Sequence, residues 1–258
     1  MTSLVTIERH ERYAVVRLNR PEKKNALNRA ARRELFAALT SLRDECRAVV
    51  LTGRGDSFCS GVDLKEARAD TEAGIAPDPG SDWIDVLIAI REHPAVFIAA
   101  VNGPALGGGS TLISVCDLAV AAYEAEIGMP EIGFGAYPQF SGPGAQIQLT
   151  AKRAAWLVLT AQRIDGRTAE SWGMVNRSVP LTELMDEADR LATTVSAFDA
   201  VALSESKRAL DAIPASVSGW RPSFEYGLST NARIRSLSAA QLSRFSAGEK
   251  NPGQSRLT

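Results

Sequence analysis

Apolar and polar residues alternate through VTIERHERYAVVRLNRP at 5–21, with a charged break at HER. The alternation predicts a β-hairpin ending at Pro21. The period then changes: Asn28 is placed to cap a helix whose apolar positions Ala31, Leu35, Leu39 and Leu42 fall on one face. AVVLT at 48–52 is a short continuous apolar run, as expected of a strand covered on both faces. The alternation of helix and strand repeats downstream, with a helix over 83–91, a strand over 95–101, a glycine-rich turn, a helix over 110–115 and a strand over 117–122. Strands alternating with helices predict an α/β layout with parallel pairing. From about 152 the pattern is mostly helical, with Thr168 and Thr182 as N-caps and an apolar stripe at Leu184, Ala188, Leu191 and Val195. The aperiodic, proline-bearing segment 69–81 reads as a mobile flap, and the last ten residues as a frayed end.

Composition narrows the classes. With 258 residues, 45% of them hydrophobic and 23% charged, the chain can bury a full core as one large domain or two small ones. Its 29 basic and 30 acidic residues leave a net charge of −1, too little field to hold nucleic acid. No apolar run reaches the roughly 18 residues that span a bilayer, and the opening MTSLVTIERHERY lacks a signal-peptide layout. A cytoplasmic protein without a membrane partner is expected. Three cysteines without CxxC spacing form neither a disulfide framework nor a structural zinc site. The two histidines, His10 in the HER turn and His93 before Pro94, both read as solvated boundaries. Ser-His-Asp, Cys-His and HExxH chemistry all lack a placed histidine, and no G-x-S-x-G is present. Carboxylates and backbone amides are left to carry any reaction.

Three segments sit at strand ends, where α/β proteins place ligands. GRGDSFCSGVDLKE follows the strand at 48–52, and NGPALGGGS follows the strand at 95–101. The second enters a helix through bare backbone, whose unsatisfied N–H groups suit an anion or oxyanion. It is neither GxGxxG nor a phosphate loop. The third, MPEIGFGAYP, sets Glu131 among apolar neighbours that raise a carboxyl pKa toward the range of a general acid or base. Asp63 and Lys65 read as a helix start and its solvated face, and Cys59 and Cys116 as small core fillers.

Together with NRPEKKNALN at 19–28, these segments resemble the enoyl-CoA hydratase/isomerase family, or crotonase superfamily, and the similarity covers nearly the whole chain. The resemblance implies a crotonase-like spiral of ββα units, with a catalytic core over 1–195 and a C-terminal helical region over 196–258 for trimerisation and active-site capping. The implied partner is an acyl-coenzyme A thioester, with no cofactor beyond that coenzyme A and no metal, and the implied assembly is a homotrimer or dimer of trimers. The oxyanion hole would be the N–H groups of Val62 and Gly108, with Glu131 as the acid or base. Lys24, Ala26, Ser60, Asp63 and Leu64 match the coenzyme A path, and Thr111 and Tyr137 the substrate site.

Thr111 departs from the family pattern, because hydratases of this type typically carry a second glutamate there. The expected reaction is hydration of a 2-enoyl-CoA or double-bond isomerisation of an enoyl-CoA. Decarboxylation, retro-aldol cleavage of a CoA thioester and a non-catalytic CoA-binding role are the alternatives. Tyr137 and Gln139 are the nearest groups in sequence for orienting water or substrate, and Trp83, Leu87, Tyr137 and Phe140 are candidate lining of the acyl pocket. At the C-terminus only Phe245 and Lys250 partly match the family's basic and aromatic stretch.

Overall fold

A computed structural model describes residues 3–75 and 83–216, together with isolated positions between 225 and 237. The hairpin forms as the alternation predicts: β1 (Val5–Arg9) and β2 (Tyr13–Leu18) pair antiparallel, with Ile7 opposite Val16. His10 stacks on Tyr13 at the turn, 4.3 Å between ring centroids. α1 (Arg29–Ser41) begins where Asn28 Oδ1 accepts the Ala31 N–H at 2.9 Å, and it buries Ala31, Leu35, Ala38 and Leu39.

β3 (Ala48–Gly53) leads through α2 (Leu64–Glu72) and α3 (Trp83–Arg91) to β4 (Val96–Val101). Both strands are buried at every position, which is why they read as unbroken apolar runs. Next come β5 (Ala105–Leu106), α4 (Gly108–Val115), β6 (Leu118–Ala122) and β7 (Ile127–Gly128). A 3-10 turn, Pro130–Phe134, precedes α5 (Ser141–Gln148), α6 (Ala151–Thr160), α7 (Gly166–Trp172), β8 (Arg177–Val179), α8 (Leu184–Ser196) and α9 (Ala200–Ser216).

The main sheet has the order β1-β2-β3-β4-β6-β8, parallel throughout except at the hairpin. One row of partners, Val15, Val50, Ile98 and Leu118, crosses four strands. β4 and β6 are each followed by a short strand, and these two, β5 and β7, pair in a second small parallel sheet. This is the spiral ββα arrangement that the resemblance implies. α8 packs across β3, β4 and β6, and its buried positions are Leu184, Ala188, Ala192 and Ser196. Leu191 and Val195, expected in that stripe, are only partly buried, because the small side chains at 188, 192 and 196 let the helix approach the sheet closely. No helix among the described residues is long and apolar enough to cross a membrane.

Four local expectations are corrected. Asp165, not Thr168, caps α7: its Oδ1 accepts the Thr168 N–H at 2.8 Å. Thr182 lies inside a 3-10 turn, Leu181–Glu183, and α8 begins after it. Residues 69–72 belong to α2, which is moored to the start of α1 through Arg29, whose amide donates to Glu66 at 2.6 Å and whose guanidinium pairs with Asp70 at 2.7 Å. Residues 73 and 74 form a turn after α2; the rest of the expected flap, 76–81, lies outside the described residues, as do Phe245, Lys250 and the last ten residues.

His93 is the fourth, being 2% exposed rather than solvated. Its Nδ1 accepts the Ala95 N–H at 3.0 Å, and its Nε2–H donates to the Leu39 carbonyl at 3.1 Å. Burial, first among the causes, pushes its pKa down to about 4.

Candidate active site

Two turns at strand ends meet face to face. Gly61 holds φ at +93°, and a Cβ there would stand 2.8 Å from the Leu106 carbonyl oxygen and 3.0 Å from the Gly108 nitrogen. A Cβ on Gly108 would stand 3.2 Å from Gly61 Cα and 3.4 Å from the Val62 nitrogen. Only glycine permits that approach. Single parallel bridges, Leu27 to Val62 and Cys59 to Ala105, hold the first turn against its neighbours. The amides of Val62 and Gly108 are thereby adjacent, and neither donates to another protein group among the described residues. Gly108 is the first residue of α4, so its N–H belongs to the unsatisfied first turn of that helix.

A cavity of about 460 Å³ opens beside these amides and is lined by Val62, Gly108, Glu131 and aromatic side chains including Trp83, Tyr137 and Phe140. Glu131 enters from the 3-10 turn after β7. Its Oε1 accepts a hydrogen bond from Ser141 Oγ at 3.4 Å, while its Oε2 is buried with no partner among the described residues. A Cβ on Gly107 would lie 3.0 Å from Oε1, which places the carboxylate over the glycine that precedes Gly108. Burial raises the Glu131 pKa above the ordinary glutamate value, against opposing hydrogen bonds from the backbone and Ser141. The site thus offers two adjacent amide donors, one carboxylate poised to exchange a proton, and a largely apolar chamber between them.

A second hollow of about 500 Å³ adjoins the first, sharing Ser60, Val62 and Leu64. Ala26 and Asp63 line it too, so four of the five positions matched to the coenzyme A path fall on one groove. Asp63 also accepts the Lys65 and Glu66 N–H groups at the start of α2, as read, and pairs with Arg20 at 2.8 Å, which lowers its pKa. Lys24 does not line the groove. It contributes backbone: in a left-handed conformation (φ 51°), its carbonyl accepts the Ser60 N–H at 2.9 Å.

Thr111, read as a substrate contact, is not among the cavity's lining residues. It is 2% exposed, and its Oγ1 donates to the Gly107 carbonyl at 3.3 Å, the backward bond of a threonine inside a helix. Tyr137 lines the cavity, with its hydroxyl accepting from Gln146 Nε2 at 2.7 Å, and Gln139 lines it too. Leu87, proposed for the acyl pocket, is instead core. Cys59 and Cys116 are buried fillers: burial pushes the Cys59 thiol up to about 12 and raises that of Cys116 as well.

Three contributors escape the sequence reading. Ser141 stands ten residues after Glu131 and looks like an ordinary start of a helix; only the fold turns it toward the carboxylate. Arg20 follows a strand and closes on Asp63 forty-three residues away, and Arg32 lines the cavity from the α1 face beside the apolar stripe. A periodicity argument contains no signal for any of them.

A family model for enoyl-CoA hydratase/isomerase matches residues 8–215. A probable enoyl-CoA hydratase of Mycobacterium bovis is 37% identical over 211 residues, covering 80% of each chain. A short-chain-enoyl-CoA hydratase of Clostridium acetobutylicum is 35% identical over 212 residues, again 80% of each. Among solved structures, an enoyl-CoA hydratase of Mycobacterium smegmatis superposes with a TM-score of 0.86 over 96% of this chain and 98% of that one, at 28% identity. A fold in which two glycine-lined turns press a pair of free amides against a cavity, shared along most of its length with named hydratases, places this chain in the enoyl-CoA hydratase/isomerase family.

Proposed function

We propose that the enzyme binds an acyl-CoA thioester with its carbonyl oxygen between the Val62 and Gly108 amides and its α-carbon within reach of Glu131. The observation that carries this reading is the conjunction, on one cavity, of two adjacent amides and a buried carboxylate oxygen that have no partner among the described residues. When a proton leaves or joins the α-carbon system, negative charge gathers on the thioester oxygen, and the two amides stabilise the enolate. A fixed donor of this kind contributes about 3 kcal/mol at the transition state. Glu131 carries the proton, and its raised pKa suits that task. Coenzyme A would follow the adjoining groove past Ser60, Asp63, Leu64 and Ala26, and Lys24 would serve through its backbone. No cofactor beyond the substrate's own coenzyme A is needed.

The reaction is hydration of a 2-enoyl-CoA or double-bond isomerisation of an enoyl-CoA, in fatty acid metabolism in the cytoplasm. The names of the relatives favour hydration. Isomerisation is favoured by the single carboxylate, since Thr111 is turned to the Gly107 carbonyl and supplies no second base. Residues 1–195 would form the catalytic core and 196–258 the helical region for trimerisation and capping. Glu131→Gln tests the assignment with 2-enoyl-CoA and 3-enoyl-CoA substrates: kcat is expected to fall by about 10²–10⁴-fold, with acyl-CoA binding by calorimetry retained. Unchanged turnover of every accepted thioester would remove Glu131 as the proton carrier.

A further inference from the structure

Ser141 carries a hydroxyl for which its own helix has no use. It is fully buried and is the first residue of α5, whose N-cap is Phe140, so its Oγ does not cap the helix. A serine at a helix start ordinarily turns its oxygen onto the amides of the first turn. Here the one side-chain hydrogen bond that Ser141 makes among the described residues runs to Glu131 Oε1. Alanine would fill the same buried place without a polar group to satisfy.

The two oxygens of Glu131 stand in different surroundings. Oε2 is shut from solvent and has no partner among the described residues. Oε1 lies on the Gly107 side, 3.0 Å from where a Cβ on that glycine would stand, one residue before the Gly108 amide. Oε1 is therefore the oxygen left to face the thioester, and it is the one that Ser141 holds. The contact is 3.4 Å; hydrogen bonds around a reacting group are often long before substrate binds and shorten in the complex.

We infer that Ser141 is a positioning residue for Glu131: its hydroxyl holds the carboxylate with Oε1 toward the substrate and favours the ionised form at the oxygen that exchanges the proton. This rests on the reading of Glu131 as the proton carrier. Burial raises the Glu131 pKa, and donation from Ser141 opposes that rise, because it stabilises the charged form. Arg32 and Tyr137 are the other ionisable side chains on the cavity. α6, packed against the 3-10 turn, brings Lys152, which is exposed, and Arg153, which donates to the Trp172 carbonyl. α4 and α5 bring none. All of these groups are kept when Ser141 alone is replaced, so a shift on replacement reports the hydroxyl.

The test is the pH dependence of kcat/KM for 2-enoyl-CoA and 3-enoyl-CoA substrates in the full-length wild type, Glu131→Gln, Ser141→Ala and Ser141→Cys, with folding checked by circular dichroism. The limb set by Glu131 is the one that Glu131→Gln removes from the residual turnover. In Ser141→Ala that limb is expected to move to higher pH by about one unit, whether Glu131 acts as acid or as base. Ser141→Cys, which keeps the bulk but offers only a weak donor, is expected to shift it in the same direction. A limb that stays in place in either folded variant overturns the inference, since a role in packing alone would leave it there. A crystal structure of the wild type with a saturated acyl-CoA, in which Ser141 Oγ lies more than about 4 Å from both Glu131 oxygens, overturns it without any variant. Wild-type turnover and an unchanged profile in Glu131→Gln would instead overturn the reading of Glu131 beneath it.

Discussion

His93 is held neutral by its surroundings. One ring nitrogen accepts from the Ala95 amide, the other donates to the Leu39 carbonyl, and the ring edge meets Phe97 at 5.1 Å between centroids. A histidine just before a proline at a helix end reads as a solvated boundary. What turns it inward is the demand of the amide just before β4 for an acceptor, a tertiary fact that composition does not carry. Its folded pKa of about 4 lies below the unfolded value of about 6.5, so its contribution is present above pH 6.5 and is lost as pH falls toward 4. Denaturant unfolding across that window should show a loss on the order of 3 kcal/mol from this residue. His93→Gln should flatten the profile there, whatever its overall stability, and profiles that run parallel would count against the assignment. Glu131 is the opposite case of a residue legible in advance, since its apolar neighbours stand beside it in the sequence.

At the level of elements, most strands and helices were readable because one face or both faces are uniformly apolar. β3 and β4 follow from unbroken runs, and α1 from its period and its asparagine cap. The short β5 and β7 were not readable: two residues leave no pattern, and their pairing exists only because the longer strands bring the ends together. The caps expected at Thr168 and Thr182 fall on nearby residues instead, because several polar side chains compete for each helix start and geometry selects one. The junction of β3, β4 and α4 yields a sharper test. Gly108→Ala places a methyl 3.2 Å from Gly61 Cα and 3.4 Å from the Val62 nitrogen, between the two donors. Turnover of enoyl-CoA should fall by about 10²–10³-fold, as when one oxyanion donor is displaced, while the thermal midpoint moves by only a few degrees. Wild-type kinetics in that variant would show that the amides do not act on the substrate.

Across the whole molecule, the helical C-terminal half is tied to the sheet by polar anchors as well as by apolar packing. Lys207 of α9 is buried, pairs with Asp117 at 2.9 Å and donates to the Ile90 and Ala95 carbonyls at 3.0 Å each. Arg91 joins the same group through Asp117 and Asp211. Nothing in the near-neutral charge balance announces these links, since a charge count does not say which charges are buried. Ile147, Trp156 and Leu159 on α5 and α6 are exposed, more apolar surface than neighbouring helices of a monomer usually leave in water. Light scattering is expected to give the mass of a trimer or of two trimers at micromolar concentration, and a monomer at that concentration would rule the proposed assembly out.

The donors at Val62 and Gly108 are main-chain atoms, and this shapes how the site responds to genetic change. A saturation scan can crowd the two amides through added bulk, and proline alone deletes one, at the cost of a fixed φ and an added ring, so position 62 would score as tolerant of the other side chains even though its peptide bond sits at the centre of the proposed chemistry. Replacing that one amide linkage by an ester through semisynthesis, with the valine side chain kept, removes the donor without the ring and fixed φ that proline would bring.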